Sequence, residues 1–90
     1  MFDTGKVVLT QGISNKMTDS NRFYTQVIKA LERYKKEDWG EICEEDKMSN
    51  DMAVKYGDRI LASYETINGK IWIITEWDRS YTTILFPEEY

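Results

Sequence analysis

The sequence predicts an α+β fold: a short N-terminal strand, two helices, and a C-terminal antiparallel meander of three strands that the helices cover, with the first strand available as a fourth. Three observations predict it. Apolar residues recur at helical spacing through Phe23, Val27, Ala30, Leu31 and Tyr34. From Arg59 the period changes to two, with Ile60, Ala62 and Tyr64 alternating with Leu61, Ser63 and Glu65. Two clusters of turn-forming residues, Asn68-Gly69 and Trp77-Asp78-Arg79-Ser80, divide the remaining β-rich stretch into strands. The chain of 90 residues is expected to form one domain, residues 1–90, because single cores stop growing only at much greater length.

Each element has a local reason. Lys6 to Thr10, KVVLT, is short, β-branched and preceded by Gly5, which suits a strand. Gln11 to Met17 suits a helical turn capped by Thr10, although Gly12 weakens it. Thr18, Asp19 and Ser20 compete to cap the main helix, and Lys35 and Lys36 complement the negative end of its dipole. Asp38-Trp39-Gly40 ends that helix, and a second is expected from about Cys43 to Tyr56, with Gly57 in the left-handed position beyond it. Met48, Met52, Ala53 and Tyr56 are expected to face the core.

Asn68-Gly69 reads as a type I′ hairpin turn pairing Thr66 with Ile71, Tyr64 with Ile73 and Ala62 with Thr75. Pairing Glu76 with Tyr81 then brings Ile73 opposite Ile84 and Ile71 opposite Phe86, so one apolar face continues across both hairpins. The helices are expected to cover Ile60, Ala62, Tyr64, Ile71, Ile73, Ile84 and Phe86. On the reverse face stand Trp72, Ile74 and Leu85, to be covered by helices or presented to a partner.

Composition narrows the chemistry. Hydrophobic residues make up 41% of the chain, enough for a core alongside 31% charged residues. A single Cys leaves no intrachain disulfide, and the first ten residues lack the basic flank and apolar stretch of a signal peptide, so a cytoplasmic setting with no membrane role is expected. With no His, the commonest general base is missing, and His-dependent zinc sets with it. The five Gly residues form neither a phosphate-cradling loop nor a dinucleotide fingerprint. No cofactor and no resident metal is expected. The net charge of −4 argues against a broad nucleic-acid surface but leaves room for a local basic patch.

The segment EDWGEICEED, Glu37 to Asp46, holds six carboxylates and no basic residue. Negative charge at a helix start accounts for much of it. The sharper reading is a docking surface for a basic groove, with Asp38, Glu41, Glu44, Glu45 and Asp46 supplying charge and Trp39 an aromatic anchor, although Trp39 equally suits a wedge filling the space between helices and sheet. Asp78 and Arg79, in the second turn, are the next candidates for partner contact. Glu45-Asp46-Lys47 matches the ExK element of restriction-type nucleases, with Asp38 as an upstream acid, but it falls at a helix start where that nuclease fold uses a strand. Glu65, Glu76 and Asp78 share no metal site by register, and Arg59, Arg79 and Glu76 are expected to pair at the sheet surface. Cys43 sits between no cationic neighbours and reads as a structural residue at the helix start. A separate class of function, nucleic-acid binding, would use Arg22, Lys29, Arg33, Lys35 and Lys36 along the main helix.

The run DWGEICEEDKMSND followed by GDRILASYETINGKIWIITEWDRSYTTILFPEEY resembles a family of short bacterial proteins from plasmids, phages and integrated elements. Members are labelled "plasmid-related protein", and some type I restriction endonuclease subunit. Trp39, Lys47, Asn50, Asp51, Arg59, Trp72, Glu76, Asp78, Arg79 and Ser80 match the family pattern, which covers about the last 55 residues well. The resemblance implies a mobile-element accessory protein and carries over no catalytic residue. The expected function is a non-enzymatic module that docks on a host or element-encoded protein, such as a nucleic-acid-processing or defence protein, in an anti-restriction or anti-CRISPR role by occlusion.

Overall fold

The computed structural model describes residues 2–90. Strand β1 (Lys6–Leu9) is followed by α1 (Gln11–Asp19), α2 (Asn21–Lys35), α3 (Glu44–Tyr56), then β2 (Ile60–Thr66), β3 (Gly69–Thr75), β4 (Tyr81–Leu85) and a 3-10 turn at Pro87–Glu89. The sheet has four strands in the order β1-β4-β3-β2, with β1 parallel to β4 and the others antiparallel. The fold is α+β, and the first strand does extend the meander.

Three helices form where two were expected. Thr10 caps α1, whose N-terminal turn is completed from far along the chain: the Glu89 carboxylate accepts from Thr10 Oγ1 (2.6 Å) and from the Gly12 amide (3.0 Å). A Cβ at Gly12 would stand 2.6 Å from a Glu89 oxygen, so the residue that lowers helix propensity here is the one that admits the cap. Ser20 then caps α2, its Oγ accepting from the Phe23 amide.

Helix α2 buries Phe23, Val27, Ala30 and Tyr34 against the sheet. They join Ile60, Ala62, Tyr64, Ile71, Ile73, Ile84 and Phe86 in one core, with Phe23 stacked on Phe86 at 5.8 Å. Within it lies a chain of hydroxyls. Tyr34 Oη is 2.6 Å from Thr75 Oγ1, which is 2.7 Å from Thr82 Oγ1, which donates to the Thr4 carbonyl at 2.6 Å. Because that carbonyl can only accept, the protons must run from Tyr34 through Thr75 and Thr82 to Thr4. Each hydroxyl donor of this relay is thereby satisfied.

Both hairpins place the expected residues on the core face, but only one has the expected register. Glu76 donates to the Tyr81 carbonyl, and Ile73 pairs with Ile84 as its apolar alternation demands. In the first hairpin Thr66 pairs with Gly69, Tyr64 with Ile71 and Ala62 with Ile73, a shift of two from the expected partners. Ile67 and Asn68 keep negative φ, and Gly69 alone is left-handed at +92°. The loop is the two residues Ile67 and Asn68, with the register unbroken from Thr66–Gly69 to Ile60–Thr75, and it is not the type I′ turn. A shift of two leaves every side chain on its own face, so the core survives the correction.

The edges of the sheet are treated differently. Beside β2, Gly40 bridges to Ser63, the Glu41 amide donates to the Ser63 carbonyl (2.7 Å), and the Ser63 amide reaches the Trp39 carbonyl (3.4 Å). Asn50 from α3 completes the cover, its Nδ2 donating to the Leu61 carbonyl (2.8 Å) and its Oδ1 accepting from the Leu61 amide (3.3 Å). Helix α3 therefore lies along an edge. Asn50 and Ala53 are its buried residues, while Met48, Met52 and Tyr56, expected in the core, point to solvent.

The reverse face of the sheet is covered from the chain's end. Tyr90 packs edge-on against Trp72 with ring centroids 5.7 Å apart, and Arg59 Nη2 donates to Tyr90 Oη at 2.9 Å. Ile74 and Leu85 are buried there, with Trp72 and Leu61 half-buried.

Candidate functional site

The acidic segment begins where α2 unwinds. Asp38 takes two hydrogen bonds from Arg33, Nε–Oδ2 at 2.8 Å and Nη2–Oδ1 at 3.2 Å, and a third from the Gly40 amide. The Arg33 hydrogen bonds hold the Asp38 carboxyl below the ordinary carboxylate range, and the same pairing raises Arg33. Both are committed to one another. Asp38 fixes the loop that covers β2, and its carbonyl accepts from Tyr64 Oη at 2.6 Å.

Of the two places the sequence leaves open for it, Trp39 takes the wedge between helices and sheet, not the anchor at the surface. It is 3% exposed, wedged among Phe2, Tyr34 and the sheet, with its Nε1 donating to Asp51 at 2.9 Å. Burying so large a ring between a loop and two elements is the cheapest way to fill that corner. It supports the acidic segment from beneath.

Glu41, Glu44, Glu45 and Asp46 stand in solvent. The last three form the first turn of α3, where the helix dipole favours them, and Glu44 lies 3.6 Å from Lys47. Continuing from Glu45 along the same outer side, at helical spacing, come Met48, Met52 and Tyr56, exposed by 66%, 53% and 62%. An acidic turn thus runs into a stripe of large apolar side chains that stay more than half exposed, with Lys55 Nζ 5.4 Å over the Tyr56 ring. The spacing of those three residues is plain in the sequence. What the sequence conceals is that Asn50, a polar residue, faces inward, which turns the Met stripe out.

Arg79 is also corrected. It does not pair with the Glu76 carboxylate and does not project from the turn. Its Nη1 donates to the carbonyls of Asp58 (2.7 Å), Glu76 (3.1 Å) and Trp77 (3.4 Å), and its Nη2 to that of Ala53 (2.8 Å). Planar, multidentate guanidinium geometry suits this role, which ties the β3–β4 turn to the C-terminal end of α3 and accompanies a φ of +60° at Arg79 itself. Asp78 accepts from the hydroxyl and amide of Ser80, and those bonds hold its carboxyl below the ordinary range. Trp77 projects into solvent from the same turn.

Arg22 and Lys29 on α2 and Lys36 at its C-cap recur at intervals of seven along one side, about 10 Å apart along the axis. Arg33 adjoins them but is bound by Asp38 and lies 5.0 Å over the Tyr64 ring. Lys35 points to the other flank, so the structure brings together fewer of these cations than the sequence suggests.

The ExK element sits on the first turn of α3, not on a strand, and Glu65, Glu76 and Asp78 do not converge. Among the described residues no group of three His, Cys, Asp or Glu is placed to hold a metal ion. Among the described residues no helix is long and apolar enough to cross a membrane. Comparison with protein-family models, curated proteins and solved structures finds no match to this chain.

Proposed function

We propose that this chain is a non-enzymatic docking module of a bacterial mobile element, acting in the cytoplasm by occluding a partner protein through the outer face of α3. The observation that carries the reading is the continuity of Glu44, Glu45 and Asp46 with the exposed Met48, Met52 and Tyr56. Methionine side chains adapt to varied apolar pockets, and flanking carboxylates select a basic rim. A protein whose groove binds nucleic-acid phosphate has that character, so an anti-restriction or anti-CRISPR role by competition with DNA follows. The resemblance to the plasmid-related family agrees with a mobile-element setting.

The test is transformation or phage plating in cells carrying a restriction or CRISPR system, with and without the chain expressed. Expression is expected to protect incoming unmodified DNA. The Glu45→Lys/Asp46→Lys and Met48→Ser/Met52→Ser variants should each abolish protection while remaining folded. Capture of the defence protein on immobilised chain, released by added duplex DNA, would identify the competitor. Protection unchanged in both variants refutes the role given to α3.

A second reading rests on the alignment of Arg22, Lys29 and Lys36 along α2: a small nucleic-acid-binding regulator. It requires affinity for DNA or RNA that falls steeply with salt and is lost in a triple Ala variant at these positions. Salt-insensitive or absent binding dismisses it.

A further inference from the structure

We propose that the outer edge of β1 is a self-association surface, on which two copies of this chain pair antiparallel about a two-fold axis at Val8. The two edges of the sheet differ in a way that calls for a reason. At β2 the outward backbone groups of Leu61 and Ser63 are all met, by Asn50 and by the Trp39–Glu41 segment. At β1 they are not. Lys6 and Thr10 donate inward to the Ser80 and Ile84 carbonyls, and the parallel register pairs Val7 with Thr82 and Leu9 with Ile84. The alternation therefore turns the N–H and C=O of Val7 and Leu9 outward, where no partner meets them among the described residues. An open edge of this kind is a template for another strand.

A second β1 fits it. In an antiparallel pair centred on Val8, Val7 of each copy lies opposite Leu9 of the other, and each such pair exchanges both backbone bonds. Every outward group of the edge is then satisfied with none left over. Side chains match as well. Val7 and Leu9, 37% and 41% exposed, meet each other on the helix side of the sheet, where Leu9 borders a groove with Met17 and Tyr24. The two Val8 side chains meet on the reverse side, a favourable β-branched cross-strand pair.

Charge is complementary too. Lys6 of one copy falls opposite Thr10 of the other, and the Thr10 hydroxyl holds the Glu89 carboxylate at 2.6 Å. Each copy thus offers a cation to the other's anion. An unrelated extended peptide would need to supply the same pattern by chance; a second copy does so by symmetry.

Sedimentation equilibrium from micromolar to millimolar concentration is expected to show a monomer–dimer equilibrium, with the Val7 and Leu9 amides slowing in hydrogen exchange as the dimer forms. Val7→Pro is the decisive variant. The Val7 N–H serves no bond among the described residues, so proline there leaves the β1–β4 ladder intact while removing an intermolecular donor from each copy. Its expected effect is a dissociation constant raised about 30-fold, since two symmetry-related bonds vanish together. Should Val7→Pro fail to fold, Leu9→Lys, at a half-exposed position outside the core, provides the same comparison. A chain that stays monomeric throughout, whether or not it captures an extended peptide, overturns the proposal, as does a dimer indifferent to a folded variant. Neither outcome touches α3, so the docking reading stands or falls separately.

Discussion

Replacing Thr75 with valine interrupts the buried hydroxyl relay at its centre while almost preserving shape. Tyr34 and Thr75 are both fully buried, so no water can replace the lost acceptor. The Tyr34 phenol, which burial already pushes well above its ordinary pKa, cannot escape by ionising. Its O–H is left unpaired, at a cost of about 1–3 kcal/mol. For a domain of this size about 2 kcal/mol corresponds to a fall in Tm of roughly 8–16 °C. The direction of the relay also ranks its members. Tyr34→Phe removes the first donor and orphans no other, so it should cost about 1 kcal/mol. Thr82→Val strands the Thr75 proton and the Thr4 carbonyl together, and should cost the most. Thermal and urea unfolding of the three single variants and of Tyr34→Phe/Thr75→Val measures this. The double variant removes the orphan created by Thr75→Val and should be no less stable than that single change. Strict additivity, or a Tyr34→Phe costlier than Thr75→Val, would refute the proton order assigned here.

Arg79→Met deletes the guanidinium that joins Ala53, Asp58, Glu76 and Trp77, and should cost about 2–4 kcal/mol with faster hydrogen exchange in the last turn of α3. Gly40→Ala should prevent correct closure of the β2 edge, because its Cβ would lie 2.1 Å from the Ser63 carbonyl oxygen at a φ of +74°; unfolding at ambient temperature is the readout. Glu89, held below the ordinary carboxylate range chiefly by the Thr10 hydroxyl, contributes stability that is fully present above its unfolded value of about 4.5 and lost as pH falls through its depressed folded value. Glu89→Gln should therefore flatten the acid limb of the stability profile and fray α1, seen by amide exchange at Gly12 and Ile13.

How far the sequence discloses this molecule depends on what each element packs against. The meander was legible because its strands meet neighbours of matching period, and the Asp78-Arg79-Ser80 turn fixes Ile73 opposite Ile84. The first hairpin was legible only to parity. Asn68-Gly69 promises a turn but not which residues are central, and Ile67 took a place the two-residue reading denied it. Helix α1 was half-visible since Gly12 argues against it, and its compensating Glu89 lies 77 residues away. The sequence leaves Trp39 open between anchor and wedge and misplaces Arg79 for one shared reason. Residues that recognise partners in other proteins here recognise this chain's own backbone and core, and composition cannot distinguish the two uses.

Helix α3 shows why the fold and the candidate surface are separable. An amphipathic helix on a sheet face is held by its apolar side, so the stripe that recognises a partner and the stripe that builds the core compete for residues. Here polar bonds do the holding: Asn50 to Leu61, Asp51 to Trp39, and the Ala53 carbonyl to Arg79. The large apolar residues are thereby released from any structural duty. Exposed methionines and an exposed tyrosine contribute little to stability, so Met48→Ser/Met52→Ser should change the unfolding free energy by no more than about 0.5 kcal/mol per site. A folding role for the stripe predicts a much larger loss. Stability retained together with docking abolished is the combination that only an outward-facing recognition surface produces.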